Sequence, residues 1–275
     1  MCNFCCNFVT KYHVKIQIHN SMKYLITCLM AILCTLSTYA RLIEVDDIYY
    51  NVLDSNLVEV TYQNPQLALN YPQFKSINIP SQITSDSTIY HVVGVGSNAF
   101  SYCDSLQSIY LPNSIVSIGD SAFFQCELLD SIIIPDRVSS IGKRVFAKCT
   151  NLAHMSVAEG NTTYDSRGDC NAIIESVSNT LLFGCQNTII PTTIEHIADW
   201  AFWGCVHMKS ICVSEGVQSI GDSTFLGCDS ITSVVWNAKD YPDLSSEEEN
   251  PFKVIREQII SFVIGDSVSY VANYL

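Results

Sequence analysis

Residues 95–126 read VGSNAFSYCDSLQSIYLPNSIVSIGDSAFFQC and contain the phrase Gly-x-x-x-Phe-x-x-Cys twice. If the residue before the glycine is counted as position one, the repeats begin at Val95, Ile118, Ile141, Ile197 and Ile220, and Ala198 replaces the glycine in the fourth of them. The interval between consecutive starting residues is constant except from Ile141 to Ile197, where one unit is longer than the others. Self-similarity at a fixed period is typical of a repeat architecture, in which each unit buries its apolar side only against its neighbours.

Two positions of the repeat hold one residue type in all five units. They are position six (Phe100, Phe123, Phe146, Phe202, Phe225) and position nine (Cys103, Cys126, Cys149, Cys205, Cys228). We interpret them as a structural ladder and predict buried, reduced thiols that donate weakly to backbone carbonyls. The alternative is disulfide bonding, because residues 41–275 hold eight cysteines, an even number. Cys170 and Cys185 lie off the ladder and are the better disulfide candidates.

The residues between two ladder positions predict the path of one unit. The motif Leu-x-x-Ile-x-Leu at 106–111 directs apolar residues inward on a short strand, and Pro112 ends it because proline lacks an N–H. A second extended segment leads to the glycine, which permits a tight corner. Residues 120–123 are typical of one helical turn capped by Asp or Ser. Stacked units then pair their strands, so the sequence predicts a solenoid of the α/β class that is rich in strands.

The full phrase, Ile-Gly-x-x-x-Phe-x-x-Cys-x-x-Leu-x-x-Ile-x-[Ile/Leu]-Pro-x-x-[Ile/Val], resembles the BspA-like class of leucine-rich repeats of bacterial secreted and surface proteins. The resemblance extends from about Val95 to Val235. It implies a right-handed solenoid with one parallel sheet and short helical turns, and a binding or adhesion role without a reaction. Residues 47–62 resemble the N-terminal hairpin that caps such proteins. The 164–191 segment resembles one that recurs within the class.

These features divide the chain into three predicted segments. We interpret residues 1–40 as an over-called translation start followed by a signal peptide at 22–40. Residues 41–94 are predicted as the hairpin cap with a degenerate first repeat. Residues 95–275 are predicted as the solenoid, with an insertion around 158–190.

The predicted signal peptide indicates where the protein is located. Lys23 precedes an uncharged run from Tyr24 to Leu36, and Ala40 ends a small-x-small cleavage site. That run of thirteen residues is too short to cross the ~30 Å core of a bilayer. We therefore expect a protein that is secreted or on the cell surface, with no transmembrane segment.

Residues 259–275 re-enter the repeat and stop before its Phe and Cys. We therefore expect a solenoid truncated at the C-terminus, which continues in its natural form. Its open end offers unpaired backbone groups, so self-association through this end is a further expectation.

Composition and motifs exclude several function classes. The net charge is −13, from 14 basic and 27 acidic residues, and no segment is rich in Lys or Arg, which argues against nucleic-acid binding. The chain lacks the Gly-x-Ser-x-Gly, His-Glu-x-x-His, phosphate-loop and calcium-loop motifs. We therefore predict a protein that is not an enzyme and that uses no cofactor and no metal.

The candidate partner-binding surface consists of positions fourteen and sixteen, on the outer side of the predicted strands. We call it the strand face: Ser108, Tyr110, Ser131, Ile133, His154, Ser156, Ser210, Cys212, Ser233 and Val235. A row of hydroxyls beside a partly apolar row is typical of protein recognition, with Tyr110 as an anchor. The alternative is that crowded parallel strands simply favour small residues.

Three functions stay open at this point. The first is interaction with, or adhesion to, a protein of unknown identity, such as a host surface or matrix protein or one on a neighbouring cell. The second is a structural spacer that displays another region. The third is a glycan-binding adhesin, which requires exposed aromatic residues such as Tyr110 and Trp203.

A separate motif, Arg167-Gly168-Asp169, spells a tripeptide that integrins recognise. It suggests binding to a host integrin. Gly and Asp also suit an ordinary turn without any recognition role.

Overall fold

The computed structural model describes residues 41–62, 71, 73–266 and 268–275. The segments interpreted as a translation start and signal peptide, 1–40, lie outside the described residues. The described part contains three 3₁₀-helices, at Arg167–Asp169, Glu247–Glu249 and Arg256–Gln258. None of the helices in this part has the length and apolar character that crossing a bilayer requires.

Short β-strands make up most of the regular structure. In chain order they are β1 (Leu42–Val45), β2 (Ile48–Asp54), β3 (Leu57–Thr61), β4 (Ser76–Asn78), β5 (Gln82–Ser85), β6 (Thr88–Val95), β7 (Ser108–Tyr110), β8 (Ser117–Ile118), β9 (Ser131–Ile134), β10 (Ser140–Ile141), β11 (His154–Val157), β12 (Tyr164–Asp165), β13 (Ala172–Glu175), β14 (Thr180–Gly184), β15 (His196–Ile197), β16 (Ser210–Val213), β17 (Ser219–Ile220), β18 (Ser233–Trp236) and β19 (Ser261–Ile264).

An antiparallel meander of β1, β2 and β3 precedes the repeats. Its alternating sequence buries one side of each strand, including Tyr50, Val58 and Val60. β3 then pairs in parallel with β6, and β5 pairs antiparallel with β6. This pairing joins the meander to the repeats.

The repeats contribute two columns of parallel strands. In the first column, β4 pairs with β7, β9 with β11, β16 with β18, and β18 with β19. In the second, β6, β8 and β10 pair in sequence, as do β14, β15 and β17. The register follows the repeat, because Ser131 pairs with His154 and Ser210 pairs with Ser233, each of which occupies the same position one unit further along the chain.

Within the described residues the strands fall into five sheets, in place of the single parallel sheet that was expected. The insertion causes the main division, because it places β12 and β13 antiparallel to their neighbours between the units on either side. The handedness of the solenoid stays a prediction.

The expected helical turn after the glycine is wrong. Positions four and eight have positive φ in all five units, at Asn98, Tyr102, Ser121, Gln125, Arg144, Lys148, Trp200, Gly204, Ser223 and Gly227. These left-handed residues turn alternate amides toward the next unit, as in the 2.8 Å hydrogen bond from the Phe100 N–H to the Ala122 carbonyl. A helix would use those amides internally. Asp120 likewise accepts the Lys143 N–H of the next unit, at 2.7 Å, rather than capping its own turn.

The ladder phenylalanines form two stacks. Phe100, Phe123 and Phe146 lie face to face, with ring centroids 5.4 and 5.6 Å apart. Phe202 and Phe225 form the second stack, 5.7 Å apart. Between the stacks, Phe183 of the insertion meets Phe146 edge-on, at 5.5 Å between ring centroids.

One phenylalanine of the ladder does not follow from the repeat pattern. Phe252 stacks on Phe225 with 5.3 Å between ring centroids. It lies further along the chain from Phe225 than one regular unit and is not followed by a cysteine at position nine, so the repeat pattern did not reveal it. The preceding Pro251, which is buried, is the only local sign of a turn.

The ladder cysteines are buried free thiols. The Sγ atoms of Cys126, Cys149 and Cys228 donate to the position-six carbonyls of the preceding units, at 3.0, 3.1 and 3.1 Å. Cys170 and Cys185 are free in the structure as well, and they belong to different apolar clusters. The structure therefore gives no disulfide between these two candidates.

Thiol labelling tests this arrangement. Burial raises the pKa of Cys228 to about 12, whereas Cys212 is exposed on β16. An alkylating reagent at mildly alkaline pH should therefore modify Cys212 at least about a hundredfold faster than Cys228, because the thiolate is the reactive form. Mass spectrometry of the peptides measures both rates. A disulfide between neighbouring ladder positions would contradict the interpretation.

Candidate functional site

The strand face lies on the outer side of the first column of strands. Each strand alternates, so that Ile132 and Val234 point into the core while their neighbours point outward. Tyr110 and Ile133 occupy position sixteen in consecutive units, and their side chains are 60% and 62% exposed. All ten residues of the strand face are exposed or half-buried.

The structure divides the strand face into two halves. The N-terminal half consists of Ser108, Tyr110, Ser131, Ile133, His154 and Ser156, on β7, β9 and β11. The C-terminal half consists of Ser210, Cys212, Ser233 and Val235, on β16 and β18. β11 and β16 belong to different sheets, and β13 of the insertion contacts β11. β7 and β9 also belong to different sheets, but they contact each other directly. The ten positions therefore do not form one uninterrupted surface.

Each half extends one strand beyond the sequence-based assignment. β4 adds Ser76 and Asn78 beside β7, and the Ser108 hydroxyl donates to the Ser76 hydroxyl at 2.9 Å. β19 adds Ser261 and Val263 beside β18 in the same way. The sequence does contain a sign of β4, since Ile77-Asn-Ile-Pro80 repeats the end of the strand motif. The repeat pattern does not assign β4 to the strand face, because no Gly-x-x-x-Phe-x-x-Cys phrase precedes it.

The chemistry of the strand face suits contact with a protein. Its outward residues include hydroxyls, aliphatic groups and one phenol, and none is a Lys, Arg, Asp or Glu. Interface cores are depleted of charged residues and enriched in Tyr, because desolvating a charge is costly. The short Ser side chains also lose little conformational entropy when they are covered.

Trp203 lies apart from the strand face. Its ring meets Phe124 edge-on, with ring centroids 5.7 Å apart. The Lys148 Nζ atom is 5.6 Å from the Phe124 centroid and 5.9 Å from the Trp203 centroid. All three residues occupy the turn segments rather than the strands, so Trp203 and Tyr110 do not share one aromatic platform.

The arginine of the Arg167-Gly168-Asp169 triplet is held inside the insertion. Its guanidinium makes two bonds to Asp165, Nε to Oδ1 at 2.8 Å and Nη2 to Oδ2 at 2.7 Å. Nη1 donates to Asn179 Oδ1 at 2.9 Å. Gly168 and Asp169 are exposed. The triplet forms a 3₁₀ turn whose arginine is already bound, and this geometry argues against its presentation to an integrin.

The carboxylate of this ion pair has an altered pKa. Burial acts to raise the pKa of Asp165, but hydrogen bonds from Arg167 and Ser176 outweigh it and hold that pKa below its ordinary value. The Ser176 hydroxyl donates to Asp165 Oδ2 at 2.6 Å. The network links β12 to the end of β13, so its evident role is to order the insertion.

Within the described residues, no group of three or more His, Cys, Asp or Glu side chains is placed to hold a metal ion.

Comparison with known families finds a match over most of the chain. A family model described as a BspA type leucine rich repeat region matches in six copies, over residues 65–178 and 169–275. No sequence among curated proteins matches the chain.

Several solved structures align with this chain over most of its length. A leucine-rich cell surface protein from Faecalibacterium prausnitzii A2-165 is 16% identical, with 84% of this chain and 96% of that chain covered, at a TM-score of 0.32. A leucine-rich repeat protein of T. pallidum is 21% identical, with 81% and 82% covered, at a TM-score of 0.41. A leucine-rich repeat protein from Bacteroides ovatus ATCC 8483 is 19% identical, with 84% and 78% covered, at a TM-score of 0.29.

Proposed function

Because the chain belongs to the BspA-type leucine-rich repeat family, we propose that it is a non-enzymatic, secreted or cell-surface protein that binds another protein through the strand face. Proteins of this repeat family generally act in protein interaction. The partner belongs to a host surface or matrix, or to a neighbouring cell.

The main support for this proposal is the exposure of Tyr110 and Ile133. Two large side chains, 60% and 62% exposed, lie at the same position of consecutive units. Hydroxyls at Ser108 and Ser131 flank them. Apolar anchors within a polar surround are typical of the few residues that supply most of the binding energy at an interface.

An array that carries both host proteins and glycans tests the proposal. We expect the protein to bind protein spots, and we expect Tyr110→Ala and Ile133→Ala each to weaken that binding by at least about thirtyfold, because interface anchors contribute about 2 kcal/mol or more. Surface plasmon resonance against the protein identified on the array measures the affinity of each variant.

Val177→Ala is the matched control. Val177 is 91% exposed, and it lies in the turn between β13 and β14, of which β14 pairs with β15 of the second column. Its substitution should leave the affinity unchanged. Equal affinity of all three variants and the unsubstituted protein would contradict the assignment of the strand face.

The other functions are outcomes of the same array. Binding to glycan spots alone would favour the glycan-binding adhesin, and binding to no spot would favour the spacer. Self-association has its own support, because Phe262, Val263 and Ile264 of β19 are exposed. Light scattering of the purified protein at several concentrations measures it.

A further inference from the structure

A cleft of 190 Å³ opens between the third and fourth units, beside the insertion. Its walls are formed by Lys143 and Arg144 from the third unit, Leu182 and Phe183 from β14, and Asp199 and Trp200 from the fourth unit. This cleft is separate from the strand face, since its residues belong to the glycine corner and the second column.

The cleft exists because the insertion omits one turn of backbone. β14 takes the place of a preceding unit: the Ala198 N–H donates to the Leu181 carbonyl at 2.9 Å, and the Gly184 N–H donates to the Ala201 carbonyl at 2.8 Å. In a regular unit, four residues lie between the residue whose carbonyl accepts the first bond and the residue whose N–H donates the second. In β14, only two residues lie between Leu181 and Gly184. The missing residues leave a gap between the third and fourth units.

The gap interrupts the hydrogen bonds between units. Elsewhere the position-four N–H donates to the position-three carbonyl of the next unit, as from Trp200 to Asp222 at 3.1 Å. Across the cleft, the corresponding Arg144 N–H and Asp199 carbonyl have no partner among the described residues. The contact resumes beyond the gap, where the Lys148 N–H donates to the Trp203 carbonyl at 2.9 Å.

The two walls of the gap have opposite polarity. The third unit presents the Arg144 N–H together with two cationic side chains, Lys143 and Arg144. The fourth unit presents the Asp199 carbonyl, whereas the Asp199 carboxylate is directed toward the fifth unit, where its Oδ1 accepts the Asp222 N–H at 2.8 Å. The Arg144 guanidinium lies over the Trp200 ring, 5.6 Å from its centroid, and is thereby held at the mouth. Leu182 and Phe183 make the remaining wall apolar.

We propose that this cleft binds a small zwitterion with an apolar side chain, an α-amino acid or the terminus of a short peptide. The ligand carboxylate pairs with Arg144 and Lys143, its ammonium group donates to the Asp199 carbonyl, and its side chain packs on Leu182 and Phe183. The ligand thus supplies the acceptor and the donor that the missing turn of backbone leaves absent. A volume of 190 Å³ is below the range of about 300–1,000 Å³ for drug-sized ligands, which suits a molecule the size of one amino acid.

Isothermal titration calorimetry with defined probes tests the proposal. The probes are L-leucine, L-phenylalanine and the dipeptide L-leucyl-glycine, with N-acetyl-L-leucine, L-leucinamide and glycine as analogues that lack one recognition element each. We expect at least one zwitterion with an apolar side chain to bind. Each analogue should bind at least about tenfold more weakly, because a charge-assisted hydrogen bond is lost or the apolar contact is missing. A preference for the dipeptide over leucine would assign the site to a peptide terminus.

Two substitutions connect the probes to the residues. Arg144→Gln removes a cation that faces the ligand carboxylate, so it should weaken leucine binding at least about tenfold and abolish the preference for leucine over L-leucinamide. Asp199→Asn is the control, because it keeps both an acceptor for the Asp222 N–H and the Asp199 carbonyl at the cleft, so it should leave leucine binding unchanged.

Hydrogen exchange gives a readout that does not depend on these variants. Saturating ligand should slow exchange of the Arg144 amide in the unsubstituted protein, because the ligand carboxylate then accepts its hydrogen bond. Absence of binding by all three zwitterions at millimolar concentration would overturn the proposal. Leucine binding that Arg144→Gln leaves unchanged would also overturn it.

Discussion

Replacing Phe123 with alanine is expected to lower the free energy of unfolding by about 3–5 kcal/mol. The ring is fully buried and stacks between Phe100 and Phe146, at 5.4 and 5.6 Å between ring centroids. Its removal leaves a cavity bounded by both neighbouring rings, and neither can shift without breaking the hydrogen bonds that join the units. Phe146→Ala should have a similar effect, since that ring contacts both Phe123 and Phe183.

Chemical denaturation monitored by circular dichroism measures this loss. Phe123→Leu should have a smaller effect because it retains part of the buried apolar volume. Val177→Ala is the control, because that side chain is 91% exposed, and it should change stability by no more than about 0.5 kcal/mol. A midpoint for Phe123→Ala that equals that of the unsubstituted protein would reject the stacked core.

Replacing Gly119 with alanine is expected to destabilise the protein by about 1–3 kcal/mol, through overpacking. A Cβ atom at Gly119 would lie 2.4 Å from the Ser97 N atom of the preceding unit. Gly221 is equally confined, with 2.4 Å to the Asp199 N atom. The obstacle is backbone in both units, so a change of side-chain rotamer cannot relieve the contact.

Ala198→Gly is the informative counterpart. Ala198 occupies the same position in the fourth unit, where the insertion omits the turn that would otherwise meet its Cβ. Its substitution should cost no more than about 0.5–1 kcal/mol, the ordinary difference between glycine and alanine. Denaturation midpoints of the two variants measure the contrast. Equal losses would show that close packing is not the reason for glycine at Gly119.

The repeat, the inward ladder and the outward face follow from the sequence by itself. They depend on periodicity, and a constant period specifies which side chains stack and which alternate residues of a strand point outward. For this reason Phe123 and Cys126 lie in the core, and Tyr110 and Ile133 lie on the strand face. β19 pairs with β18 although it lies further along the chain than one regular unit, so the strand motif rather than the period indicates it.

The turn conformation could not be obtained from periodicity. Positions four and eight have positive φ, yet only Gly204 and Gly227 among their ten occupants are glycine. The left-handed backbone is selected by hydrogen bonds to the next unit, as from Phe100 to Ala122. The conformational preference of a residue type does not include such bonds to a neighbouring unit, so it cannot predict them. Asp120 and Ser121 therefore favoured a helical turn when read locally.

Only the tertiary structure decided what the insertion does. Its strands interrupt the parallel pairing, its aspartate binds Arg167, and its shortened backbone opens the cleft at Arg144 and Asp199. The sequence held one sign, because Ala198 stands where the other four units have glycine. The alanine at this position can be explained only when the neighbouring unit is known to lack a turn of backbone. Contacts between residues distant in the chain determine the cleft, whereas the repeat is a property of nearest neighbours and is therefore readable from the sequence.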